Sequence, residues 1–456
     1  MRGRQPVAAA EGAEQAPSVA AMNAYVIPLS ALQAADPTRV GPKAANLAAL
    51  GHAGLPIPDG FCLVADAYRA QIAALELEAS ARGVFGSDDS PQALRHALNM
   101  KLNLMEKPVA QEIAAPLLAA RRALLERNPG AKVVVRSSAL VEDRNGSSFA
   151  GQFESFLELE DETEFFVAVR ACWAALWSTR ALRYMATHGL DPSDTAMALL
   201  VQPLVAARCA GGALSRTAEG DILINATWGL GSSIAQGEVA PDRYILSREC
   251  KLKESITGSK QRQHAASCAH VGRSPIGSRV LAPTPCLDAK QAAELAHLVR
   301  RTDELMGIPV EIEWAMDETG FKMLQARPLH IRVTDVPDEA WRRHPRINGQ
   351  PAGTGWATGR ACVVNCECEL ARVAPGDVLV TKAAGPALGQ ILSRVAGVVA
   401  ELGGSTSHLA SLARERGIPM VLGALDATHR IPDGSLVAVD GVSGVVRWKQ
   451  AESTTL

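Results

Sequence analysis

Gly403-Gly404-Ser405-Thr406-Ser407-His408-Leu409-Ala410-Ser411-Leu412-Ala413-Arg414-Glu415-Arg416-Gly417-Ile418-Pro419 is the stretch from which the architecture of this chain is read. A glycine-rich turn runs into the first turn of a helix, and His408 stands at the junction. Free backbone N–H groups and the positive end of the helix dipole converge there, which favours an anion on whatever the imidazole carries. A neutral imidazole with a free ring nitrogen is a good nucleophile toward phosphorus, and a phosphoryl group on it would sit in that cradle of amides. Glycine pairs and helix-start histidines also occur as ordinary turn chemistry, so the surroundings must decide. The residues themselves suggest a phosphohistidine carrier.

Working outward, residues 353–448 alternate short β-like runs with one or two helices. The runs include Ala361-Cys362-Val363-Val364, Asp377-Val378-Leu379-Val380, Gly397-Val398-Val399-Ala400 and Leu436-Val437-Ala438-Val439-Asp440. They read as a compact α/β domain, drawn over 352–450. Upstream, 334–351 loses its pattern among Pro, Arg and Asp and reads as a linker.

Before the linker stands Val310-Glu311-Ile312-Glu313-Trp314-Ala315, a turn at Asp317 to Gly320, then Met323-Leu324-Gln325-Ala326-Arg327-Pro328. This is a hairpin whose alternation puts Glu311 and Glu313 on one face of its first strand, and Gln325 and Arg327 on one face of its second. Two carboxylates beside an amide and a guanidinium can hold Mg²⁺ together with polyphosphate oxygens. An ordinary hairpin would use the same charges as cross-strand pairs on a solvated face.

Further back, Val133-Val134-Val135-Arg136-Ser137-Ser138-Ala139 is a β-branched strand that delivers an arginine and two hydroxyls. The loop Gly146-Ser147-Ser148-Phe149-Ala150-Gly151-Gln152 follows. Arginine offers a planar donor fork, and small residues let backbone N–H groups approach phosphate oxygens closely. Nearer the start, Val40-Gly41-Pro42-Lys43-Ala44-Ala45-Asn46-Leu47 opens a helix that Gly54 can close, which places Lys43 near the helix start. A cation beside N-terminal amides suits polyphosphate.

These blocks, in this order, resemble the phosphoenolpyruvate synthase, pyruvate phosphate dikinase and rifampicin phosphotransferase family over nearly all of residues 25–450. The likeness rests on the Thr-Ser-His triplet with its Gly-Gly, Ala-Arg-Glu and Gly-Ile-Pro neighbours, on Arg-Ser-Ser and Ser-Phe-Ala-Gly-Gln, and on Glu-Trp and Leu-Gln-Ala-Arg-Pro. It implies an α/β (α+β) chain with an ATP-grasp nucleotide-binding domain over 25–333, followed by a small swivelling β/α phosphohistidine domain. It further implies that Lys43, Arg136, Ser137, Gly151, Gln152, Gln202, Gln325 and Arg327 bind ATP and its phosphates, with Gln202 near the adenine slot. Glu311, Glu313 and Gln325 would hold Mg²⁺, Glu311 standing where relatives carry aspartate. His408 would be the catalytic nucleophile, Thr406 a partner for the imidazole, and Arg414 an aid to the phosphate. Attack of His408 on the β phosphorus would release AMP, and phosphohistidine would then pass its group to an acceptor. The chain departs from the family at Ala210-Gly211-Gly212-Ala213-Leu214-Ser215-Arg216, where relatives have Ser-Gly-Val-x-Phe-Thr, so nucleotide selectivity is less secure than phosphate binding.

Composition agrees with a cytoplasmic enzyme. The 456 residues, 47% hydrophobic and 21% charged, allow two or three well-buried domains. A net charge of -2 makes no case for nucleic acid or anionic membrane, and no run is long enough to span a bilayer. Residues 1–24 lack the apolar core of a signal peptide and read as a disordered lead-in, with Met22 a candidate start. Nine cysteines without framework spacing point to reduced thiols. Cys362, Cys366 and Cys368 lack a second pair at zinc-like spacing, which argues against a metal there.

No acceptor domain is legible. The reading favoured is a phosphotransferase acting on a small-molecule acceptor with a hydroxyl or nitrogen. Alternatives are a catalytic subunit or phosphocarrier whose acceptor lies on a partner subunit, and an ATP-grasp ligase that makes an acyl phosphate and ADP without His408.

Overall fold

The computed structural model describes residues 25–84, 91–142, 153, 155–191, 195–258, 284–330 and 339–449. β-branched and apolar runs pair into three sheets. The first has five antiparallel strands, β1 (Val26–Pro28), β2 (Phe61–Leu63), β3 (Val133–Ala139), β4 (Ser155–Leu159) and β5 (Met197–Pro203), in the order β1-β2-β5-β3-β4.

Helix α1 (Pro37–His52) packs on β3 and β5. Asp36 caps it by accepting from the Thr38 N–H at 2.9 Å. It is interrupted at Gly41, whose φ of 75° lies outside the helical region and precedes Pro42. A side chain there would also strike the Ser138 carbonyl oxygen at 2.4 Å. Pro42 therefore starts a fresh helical turn, and Lys43 follows on it.

The Ala- and Leu-rich region after β2 forms α2 (Ala65–Ala74), α3 (Glu78–Gly83), α4 (Pro91–Glu106) and α5 (Gln111–Arg127). In α6 (Glu162–Ala175) Trp173 donates its indole N–H to the Met197 carbonyl at 3.1 Å, and just after the helix Trp177 donates to the Tyr68 hydroxyl at 2.8 Å. Both tryptophans are core residues, as their spacing suggests. Helix α7 (Thr179–Thr187) follows.

The second sheet comprises β6 (Cys209–Leu214), β7 (Ile222–Trp228), β8 (Asp242–Leu246), β9 (Leu252–Ile256), β10 (Val310–Asp317) and β11 (Gly320–Pro328), in the order β11-β10-β6-β7-β8-β9. Between β7 and β8 lies the single turn α8 (Ser232–Ala235). Helix α9 (Ala289–Met306) buries Ala292, Leu295, Ala296 and Val299 against this sheet. An Asp288/Gln291 capping box starts it, and Gly307 at φ 69° ends it.

The third sheet has eight strands: β12 (Arg346–Asn348), β13 (Gln350–Gly353), β14 (Trp356–Val364), β15 (Val378–Thr381), β16 (Gly397–Ala400), β17 (Met420–Leu422), β18 (Leu436–Asp440) and β19 (Val445–Lys449). Strands β14 to β17 run parallel, and α10 (His408–Arg416) connects β16 to β17. The linker expected over 334–351 is shorter than its composition suggests, because β12 and β13 lie in and across its end. Gly349 and Pro351 read as breakers, yet β13 is an edge strand, where proline is tolerated.

A disulfide joins Cys366 to Cys368, with Cα atoms 5.4 Å apart, against the expectation of reduced thiols throughout. Spacing rules for frameworks do not cover two cysteines drawn together by one local turn. The other described cysteines, Cys62, Cys172, Cys209, Cys250, Cys286 and Cys362, are buried thiols.

One apolar cluster runs through both halves, with Trp177 and Tyr184 among its members on one side and Leu388 and Leu412 on the other. The Gly403 N–H donates to the Val239 carbonyl, just before β8, at 3.1 Å. The histidine-bearing half is thus seated on the rest of the chain.

Candidate active site

Lys43 projects from the restarted helix to β3. Its ammonium donates to the Ser137 carbonyl at 2.8 Å and to Glu142 Oε1 at 3.4 Å. The Ala44 N–H donates to Ser138 Oγ at 3.2 Å, so Ser138 fastens helix to strand. One residue back on β3, Arg136 leaves the sheet and donates to Glu313 Oε2 at 2.7 Å, Gln325 Oε1 at 2.8 Å and the Leu324 carbonyl at 2.7 Å.

The hairpin has the register that alternation demands, with Glu311 opposite Arg327 and Glu313 opposite Gln325. Its two carboxylates have different neighbours. Glu313 faces the cavity beside Arg136. Burial works to raise its pKa, but the Arg136 and Arg327 guanidinium groups hold it below the ordinary value. Glu311 is sealed between the halves. Its Oε1 and Oε2 lie 3.0 and 2.9 Å from the Ser411 hydroxyl, and Oε2 also takes Arg414 at 2.9 Å and Arg327 at 3.1 Å. Burial again opposes ionisation, and the two guanidinium groups and the hydroxyl overcome it, holding Glu311 at about 2.

His408 begins α10 behind the N-cap Ser407, whose hydroxyl accepts from the Ala410 N–H at 3.3 Å. Gly403, at φ 109°, lets the preceding turn form. The imidazole pKa lies below its ordinary value of 6.5, chiefly through burial, with Arg327 and Lys43 adding and Glu313 and Glu311 opposing. His408 is therefore neutral at pH 7, the state a nucleophile requires. Thr406 rests against the backbone of Gly212 and donates to Asn225 Oδ1 at 3.4 Å. A Cβ at Gly212 would lie 2.5 Å from the Thr406 Cβ. The departure from the family run at Ala210–Arg216 thus coincides with the place where the histidine turn sits down.

One cavity of about 540 Å³ gathers these groups. Lys43, Arg136, Gln202, Glu313, Gln325, Arg327, Thr406 and His408 all line it, and its size is that of a small-ligand site. One part of its lining is less polar, formed by Pro203 at the end of β5, Leu204 and Val205 after it, and Ile234 and Ala235 of α8. Ser137, Glu311 and Arg414 do not line it: Ser137 offers its carbonyl to Lys43, while Arg414 and Glu311 pair behind the histidine. Gly151 and Gln152 lie outside the described residues. Glu313 and Gln325 present hard oxygens of the kind Mg²⁺ takes alongside phosphate and water. Among the described residues no three His, Cys, Asp or Glu side chains form a metal cluster.

Sequence reasoning passed over Glu142, Asn225 and Ser411. Glu142 lines the cavity and holds Lys43, and its signal was a carboxylate directly after a strand carrying arginine and serines. Asn225 is a lone amide in the apolar strand β7. Ser411 stands three residues after His408, on the same helical face.

A cavity walled by two sheets and closed by a histidine on a separate β/α unit defines a two-part protein, one part for the nucleotide and one for the histidine. Residues 37–344 match the pyruvate phosphate dikinase AMP/ATP-binding domain, and 373–444 match the mobile domain of PEP-utilising enzymes. The chain belongs to this family, with an ATP-binding domain followed by a mobile domain. It is 30% identical to a probable phosphoenolpyruvate synthase of Pyrococcus abyssi, over 91% of this chain and 57% of that one. It is 32% identical to the phosphoenolpyruvate synthase of Aeropyrum pernix, over 89% and 56% respectively, and 29% identical to that of Escherichia coli, over 91% and 56%. The chain therefore spans little more than half the length of the curated relatives it matches. Among the described residues no helix is long and apolar enough to cross a membrane.

Proposed function

We propose that the chain is a dikinase-type phosphotransferase in which ATP phosphorylates His408 and phosphohistidine serves a small-molecule acceptor. The observation that carries this is the His408 imidazole in one cavity with Lys43, Arg136 and Arg327. The apolar wall by Gln202 and Val205 suits the adenine, which leaves the polyphosphate among the cations.

A ring nitrogen of His408 attacks the β phosphorus, the bond to the bridging oxygen of the α phosphate breaks, and AMP leaves with that electron pair. Pyrophosphoryl-histidine then loses its terminal phosphate to water or phosphate. The remaining phosphoryl group moves from nitrogen to the acceptor's hydroxyl or nitrogen, whose proton is released. Lys43, Arg136 and Arg327 neutralise charge as the first bond breaks, where phosphoryl-transfer enzymes gain most of their rate. Thr406 and the backbone amides at the start of α10 hold the phosphorylated turn. Mg²⁺ would be held by Glu313 and Gln325 and would supply charge neutralisation on the β and γ phosphates.

The test is the nucleotide formed from ATP and Mg²⁺, separated by chromatography, for the wild type and His408→Ala. The reading expects AMP from the first and none from the second. ADP from both would overturn it in favour of the ligase.

A further inference from the structure

The far end of α10 carries charges that the transfer chemistry does not use. Arg414 reaches out of its own unit with Nη2, donating to Glu311 Oε2 on β10 at 2.9 Å, with only 5% and 6% of the two side chains exposed. Its Nη1 reaches back, donating to the Ser405 carbonyl at 2.6 Å and the Ala352 carbonyl at 2.9 Å. One guanidinium thus ties the turn that carries Thr406 and His408 to the nucleotide-binding hairpin. The next residue, Glu415, accepts a hydrogen bond from the Tyr184 hydroxyl and lies 3.4 Å from His188 Nε2, both on or beside α7. Adjacent residues of opposite sign therefore enter two sockets of complementary character. A helix seated one residue out of register would bring Glu415 against Glu311, so the pair selects one seating.

Glu311 itself has both oxygens engaged by the Ser411 hydroxyl and two guanidinium groups. A metal ion there would have to displace those donors and then stand beside Arg327 and Arg414.

We infer that Ser411, Arg414 and Glu415 form a docking clamp that seats the histidine-bearing domain on the nucleotide domain, with Glu311 as its acceptor rather than a second metal ligand. The inference rests on the phosphotransfer reading only in that the seated state is the one that brings His408 to the nucleotide. These are positioning residues, acting through the placement of His408.

Two measurements on the full chain, neither involving turnover, test the clamp. The first is amide hydrogen exchange at Gly403, whose N–H is bonded to Val239 across the domain contact. The second is the Mg²⁺ dependence of binding of a non-hydrolysable ATP analogue, by calorimetry. Glu311→Gln is expected to accelerate Gly403 exchange roughly tenfold or more and to leave the Mg²⁺ dependence within about twofold. Glu313→Gln is expected to do the reverse. Glu415→Gln, remote from the cavity, should accelerate exchange by a smaller factor, and retained analogue binding shows that each variant is folded. Unchanged exchange in Glu311→Gln, or a loss of Mg²⁺ dependence equal to that of Glu313→Gln, overturns the inference. If His408→Ala still turned ATP over, the transfer reading would fall while the exchange result stood.

Discussion

The cavity and the sealed contact behind it are two regions built from the same hairpin, and they use the same residue types in opposite ways. Glu313 and Gln325 meet Arg136 at the edge of an open cavity, and all three remain available to a ligand. Glu311, one pleat repeat away, closes on Ser411 and Arg414 of another domain, while Arg327 reaches both Glu311 and the cavity. A strand's alternation assigns both glutamates to one face, but the neighbour laid over that face decides what each does. Charges at the cavity edge can be redirected to phosphate. Charges in the contact are committed, because removing one partner from a buried pair costs about 3–5 kcal/mol.

The cavity side should break hardest. Arg136→Met removes the donor shared by Glu313, Gln325 and the Leu324 carbonyl. AMP formation at saturating ATP is expected to fall by about 10³, as for loss of a charge-stabilising donor. A fall of less than about tenfold would show that this guanidinium does not meet the reacting phosphates.

The contact side should break by displacement. Gly212→Val places a Cβ against Thr406 and pushes the histidine turn away from β6. An ångström of misplacement is worth roughly 10² in rate, so AMP formation should fall by about that factor while nucleotide affinity changes far less. Equal loss of affinity would mean that Gly212 serves the nucleotide and not the seating.

Acidification gives the smallest effect. His408 has a lowered pKa in the seated state, so its contribution to stability is full above its ordinary value of 6.5 and is lost as pH falls below it. Glu311 is held at about 2 against an ordinary 4.5, so its contribution is full above 4.5 and is lost between those values. Each group contributes at most about 1.4 kcal/mol per pH unit. The thermal midpoint should therefore decline in two limbs, with His408→Ala flattening the upper and Glu311→Gln the lower.

Much of this was open to reading in the chain. The hairpin register, α9, the helix start at Lys43 and the glycine turn before His408 follow from alternation, caps and breakers, which are local rules. The parallel strands of the third sheet follow from short β-branched runs. Two features lie where local rules do not reach. Gly349 and Pro351 looked like linker because composition cannot tell an edge strand from a loop. Glu311 and Arg414 are of types that suit metal and phosphate, and spacing cannot report that they face one another across 103 residues of chain.

Sequence alone determined many of the elements, the two-part order and the placing of a histidine at the start of a helix, because each is encoded within a few turns of backbone. Only the tertiary structure decided which charges face the cavity and which lock the two parts together. That choice depends on burial and on partners from distant segments, and desolvation makes an ion pair permanent in one place and exchangeable in the other.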